Sequence, residues 1–157
     1  MSFWSRLFGK RDQSCLGSGE LFSALSPAEK RKALDLNEVV LQSILAARNG
    51  ANIINVAPGA EFVEKMTDDE IRQAIELGAL SRKATNTTDD SDAIRIFEQV
   101  IARAPFDSIS LMSAGVRYAN LGDGHKAIAY LEKALKSDPG NSRIRNNLEG
   151  VRNHFGL

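Results

Sequence analysis

With 157 residues, 43% of them apolar and 25% charged, the chain can bury one core and is not a mostly disordered polymer. Twenty Lys and Arg balance twenty Asp and Glu, so no global field draws it to nucleic acid or to an anionic surface. One cysteine, Cys15, excludes an internal disulfide framework and fits a reducing compartment.

The first stretch, MSFWSRLFGKR, places Phe3, Trp4, Leu7 and Phe8 on one helical face and Arg6, Lys10 and Arg11 on the other. That pattern suits a miniature interfacial helix, so a weak peripheral membrane or partner contact through residues 1–11 is one reading. A frayed terminus, or a tail packed on the rest of the chain, is the other. Ser5 and Arg6 interrupt the apolar residues, so the stretch does not read as a signal peptide. No apolar run in the chain approaches the roughly 20 residues of a membrane span. The expected location is cytoplasmic, or peripheral at the inner face of a membrane. Residues 1–25 form this flexible or amphipathic segment.

Residues 26–66 read as a helix followed by an extended connector. SPAE at 26–29 is a helix start, with Ser26 as N-cap and Pro27 in the first turn; Gly50 is the expected left-handed stop. Ile53, Ile54, Val56 and Pro58-Gly59 then break the helical period.

From residue 67 the chain is expected to be helical to its end. TDDE at 67–70 is a capping box for a helix ending near Thr85, and the polar TNTTDDS is a turn. Asp90 or Ser91 starts a helix that Pro105 ends, since proline disfavours helical geometry in the residue before it. Asp107 caps a helix over 108–121, Gly122-Asp123-Gly124 reverses the chain, and 125–137 is helical. Asn141 caps a last helix over 142–154. The paired acids Asp68-Asp69 and Asp89-Asp90 sit at helix starts, where carboxylates favour the helix dipole.

The sequence repeats itself at a spacing of 34 residues. At that spacing Pro105 falls on Pro139, Ala93 on Ala127, Phe97 on Leu131, Val100 on Ala134, Leu77 on Leu111 and Ser81 on Gly115. Small residues at Ala93, Ala127 and Gly115 let helix backbones approach closely, and Phe97 and Leu131 fill the wedge beyond. Each helical pair then exposes apolar surface that a neighbouring pair covers. This pattern resembles the tetratricopeptide repeat (TPR) family over residues 71–157, closely at 111–139 and more loosely at 77–105. The resemblance implies an all-α, TPR-like right-handed superhelix of about 2.5 helix–turn–helix repeats, with an N-terminal helical extension and a polar capping helix at the C-terminus.

By the same resemblance, a groove faces the first helix of each repeat. It would be lined by Ile75, Ala79 and Arg82, then Ile109, Met112, Val116 and Ala119, then Arg143, Asn146 and Asn147. A partner helix or extended peptide fills such a groove, or the chain's own N-terminal region does. Lys and Asn residues that clamp carboxylates in some family members are not matched as a set, because the comparable positions hold Gly78, Arg82, Ser113, Arg143 and Asn147. The expected function is a protein-binding scaffold or adaptor. The alternative is a small assembly subunit that self-associates, its groove filled from within. No catalytic residue, metal site or cofactor is expected: His125 and His154 lack partners at ligand spacing, and no phosphate-binding glycine loop is present.

Overall fold

The structure, a computed structural model, describes residues 67–157 together with Ser43 and Gly50. Ser43 is helical, and Gly50 lies in a turn with φ 69°, a conformation that favours glycine. The expected amphipathic segment (Phe3, Trp4, Leu7, Phe8), the rest of the helix after Ser26 and the connector 51–66 lie outside the described residues.

Residues 67–157 are all-helical, with no strand among them. Five helices follow one another: α1 (Asp68–Asn86), α2 (Asp90–Arg103), α3 (Ser108–Asn120), α4 (Gly124–Ser137) and α5 (Ser142–Phe155). Each start has a chemical cause. The Thr67 hydroxyl accepts the Glu70 N–H at 3.2 Å while the Glu70 carboxylate accepts the Thr67 N–H at 2.9 Å, a reciprocal capping box. Asp89, Asp107, Asp123 and Asn141 each accept N–H groups of the first turn of the helix they precede.

The 34-residue spacing reappears in the backbone. Helix α4 starts and ends 34 residues after α2, at 124 against 90 and at 137 against 103. Helix α5 starts 34 residues after α3. The residues before the two prolines take nearly the same non-helical conformation, φ −131° and ψ 73° at Ala104 against φ −135° and ψ 78° at Asp138. Each corner is closed by the same hydrogen bond, Asp107 N–H to Ala104 C=O at 3.1 Å and Asn141 N–H to Asp138 C=O at 3.2 Å. The turns inside the pairs differ. Gly122 takes φ 82° between α3 and α4, while Thr88 stands at the matching place between α1 and α2, where the cap Thr87 is extended instead. A β-branched residue is strained at positive φ, so the first turn takes another path.

Each helix packs on the next, and the contact between α3 and α4 is the most extensive. Its cause is visible at Gly115. A Cβ there would lie 2.9 Å from Leu131 Cγ, 3.1 Å from the Ala127 carbonyl oxygen and 3.3 Å from Tyr130 Cβ. The two backbones thus approach as closely as glycine allows. Phe97 sits in a buried cluster with Ala84, Ala93 and Ala114; Leu131 sits in one with Leu111, Met112, Ala134, Ile144 and Leu148. Polar ties follow the same register. Tyr118 O–H donates to Glu98 at 2.8 Å, and 34 residues later Arg152 donates to Glu132 at 2.6 Å.

Candidate functional site

Of the residues that the resemblance assigns to a groove, the structure brings four together. Met112, Val116, Arg143 and Asn147 line a depression of about 230 Å3, along with Thr85, Phe97, Ser113 and Arg117. Four helices build it: the last turn of α1, the middle of α2, one flank of α3 and the first half of α5. Its apolar floor is Phe97 and Met112, which are almost wholly buried, with Val116 half-buried beside them. Its rim is polar, made by the Ser113 hydroxyl, the Asn147 amide and the exposed Arg143 guanidinium.

Arg117 gives the depression its wall. Its guanidinium donates to the Asp90 carboxylate at 2.6 Å and to the carbonyls of Thr85 and Thr87 at 3.2 and 3.1 Å. One side chain on α3 thereby fixes both the C-terminal end of α1 and the N-terminal start of α2. The charge of Arg117 is matched by Asp90, with both side chains about four-fifths buried. Arg143 has no ion-pair partner among the described residues, so it supplies the uncompensated positive charge at the rim. Such a site offers an apolar side chain a dry seat and offers a carbonyl or carboxylate beside it a donor.

The other expected groove residues lie apart from this depression. Ala79, Arg82 and Asn146 are exposed, Ile75 and Ala119 are half-buried, and Ile109 is 45% exposed near the start of α3. Met112 is 6% exposed, so it belongs first to the core and only its edge reaches the depression. Thr85 and Arg117 were not foreseeable from the groove pattern, which follows single helices. Arg117 lies one turn beyond Ser113 on the same stripe of α3, but helical spacing carries no sign of its partners on α1 and α2.

On another flank, the phenol hydroxyls of Tyr118 and Tyr130 share Glu98 Oε1, at 2.8 and 3.2 Å, with their rings 5.2 Å apart. Lys126 lies over the Tyr118 ring and Lys133 over the Tyr130 ring. Burial and the nearby carboxylate push both phenols above their usual range, so they stay protonated donors that tie α2, α3 and α4 together. At the α2–α3 corner the Asp107 carboxylate is buried. It accepts the Ser110 O–H at 2.7 Å and the N–H groups of Ile109 and Ser110, and Ser110 lies 3.1 Å from the Ser81 hydroxyl.

Among the described residues no three His, Cys, Asp or Glu side chains gather as they would around a metal ion. None of the described helices is long and apolar enough to cross a membrane. No family model matches the chain, and neither a curated protein nor a solved structure matches it.

Proposed function

We propose that residues 67–157 are a TPR-like scaffold that recruits a protein partner through the depression beside α3, without catalysis. The repeat reading is supported by the recurrence, at one spacing, of helix ends, caps, corner hydrogen bonds and pre-proline conformations. The functional reading rests on one observation. The depression draws residues from four helices, so it exists only when the pairs are stacked, and it joins an apolar floor to the unpaired Arg143. A partner segment with an apolar anchor next to a hydrogen-bond acceptor fits that combination.

A photo-crosslinking residue placed at Ser113 or Asn147 of the full chain, expressed in its native host, tests this. A covalent adduct with another protein is the expected result, with none from a matched probe at the exposed Glu149. If adducts fail to form at both positions, recruitment through the depression is wrong.

The second reading is an assembly subunit whose groove is filled by its own N-terminal region. It is favoured by Ser43, which is buried and hydrogen-bonded to the α2–α3 corner, so that part of the N-terminal region lies on the repeats. Adducts from Ser113 with the chain itself, together with a salt-resistant oligomer in light scattering, would select it.

A further inference from the structure

We propose that the α2–α3 corner is an intramolecular docking site for Ser43, keyed by its hydroxyl. The repeat supplies an internal reference, because the α4–α5 corner is the same loop 34 residues later, with the same closing hydrogen bond and the same pre-proline conformation. Burial at the two corners differs. Asp107 is 1% exposed and Ser108 2%, whereas Asn141 is half-buried and Ser142 is exposed. Ala104 is fully buried and Asp138 is half-buried; Phe106 is half-buried and Gly140 exposed. The first corner has α4 and α5 packed after it and no described helix follows the second, so burial alone does not name the cover; the hydrogen bond to Phe106 does.

Ser43 belongs to that cover. It is 0% exposed, and its hydroxyl accepts the Phe106 N–H at 2.9 Å across 63 residues of sequence. The Gly140 N–H, at the matching place, is exposed and has no protein acceptor among the described residues. The chemistry of the key follows from the corner itself. The Phe106 N–H bonds to Ser43 and to no carbonyl of the flanking helices, so a covering group must bring an acceptor or orphan this donor. A side chain as small as serine does this without spreading the contact. Asp107, Ser108 and Ser110 are buried and polar too, so the covered surface is a hydrogen-bonding one. Ser43 does not line the depression beside α3, so this inference stands or falls separately from the proposed recruitment.

Amide hydrogen exchange on the full chain, read residue by residue by NMR, tests the proposal. Corrected for intrinsic rates, the Phe106 amide should be protected about tenfold or more beyond the Gly140 amide. Ser43→Ala should lower Phe106 protection about tenfold and leave Gly140 unchanged, while Ser43→Thr, which keeps the hydroxyl, should leave both as they are. Equal protection of Phe106 and Gly140 in the unmodified chain overturns the docking site. Full Phe106 protection in Ser43→Ala overturns the hydroxyl key. Should Ser43→Ala unfold the chain, the comparison within the unmodified protein, together with Ser43→Thr, still decides.

Discussion

Gly115→Ala is the sharpest perturbation the packing offers, because two effects of opposite sign can be weighed against each other. Alanine is better than glycine in a helix interior by about 1 kcal/mol, so on propensity alone the substitution stabilises α3. The new methyl group would lie 2.9 Å from Leu131 Cγ, 3.1 Å from the Ala127 carbonyl oxygen and 3.3 Å from Tyr130 Cβ. Carbon atoms at rest stand about 3.5–4.0 Å apart, so each neighbour must retreat. None can do so freely. Leu131 is wholly buried, the Ala127 oxygen is backbone inside α4, and Tyr130 is held by its bond to Glu98. The helices must therefore separate along their closest approach, an overpacking cost of about 2–3 kcal/mol at the upper end of the usual range. The net expectation is a loss of about 1–2 kcal/mol.

Gly150→Ala is the control within the same protein. Gly150 is in α5, is exposed, and an added Cβ there meets nothing within 4 Å. Only the propensity effect acts, so it should stabilise by up to about 1 kcal/mol. Urea denaturation followed by circular dichroism reads both. With a slope of about 1–3 kcal/mol per molar urea, the two midpoints should fall on opposite sides of the wild type and differ by roughly 1–2 M. A Gly115→Ala protein as stable as Gly150→Ala would refute the close-approach account of the α3–α4 contact.

Three other substitutions probe separate ties. Asp107→Asn should keep the cap, since an amide oxygen still accepts from Ile109 and Ser110 and the Ser110–Ser81 pair can reverse its donor; Asp107→Ala should cost about 1–2 kcal/mol. Burial raises the Asp107 carboxyl above its ordinary value, so the stabilisation it lends is fully present below the unfolded value near 3.8 and is lost as pH rises through the folded value. Wild-type stability relative to Asp107→Asn should therefore fall over that window in urea titrations, and a gap that widens in the wild type's favour would contradict this. Gly124→Ala should loosen the C-terminal helix by about 1–3 kcal/mol, because an added Cβ would lie 2.5 Å from Phe155 Cγ; Phe155→Ala in the same background should recover part of that loss in a double-mutant cycle. Arg117→Met keeps the aliphatic stem but releases Asp90 and the Thr85 and Thr87 carbonyls, and should cost about 1–3 kcal/mol with faster amide exchange concentrated at residues 85–90.

The helices were legible in the sequence because their ends are marked by local chemistry. Thr67 with Glu70, Asp107 with the N–H groups after it, and the prolines at 105 and 139 each act within a few residues, so the string of letters contains the whole cause. Small residues at Gly115 and Ala127 also carried their meaning, since a 34-residue repeat places them against each other. Met112 carries two roles that spacing alone does not separate: its edge lines the depression on the groove side of α3, while most of the side chain packs into the core. Arg117 was missed for a related reason. Its three partners lie 27 to 32 residues away, on a turn whose path is set by Thr88, and no periodic pattern records a contact of that reach. The burial of Asp107 belongs to the same class, because a capping aspartate looks alike in sequence whether it faces water or is buried.

Two differences between the copies of the unit fall toward opposite ends of the described helices. A strict repeat places the same surface on both sides of every pair, so the array has no internal reason to stop. At the C-terminal end Phe155 covers Gly124, where the earlier copy has Asp90 bound to Arg117 and Asn120. A ring on glycine stands where the earlier copy has an ion pair, and α5 leaves Arg145, Asn146, Glu149 and Arg152 exposed. Toward the other end, Ser110 and Ser81 meet through hydroxyls at positions where the later copy has Ile144 and Gly115 in an apolar contact, and Ser43 satisfies the neighbouring corner.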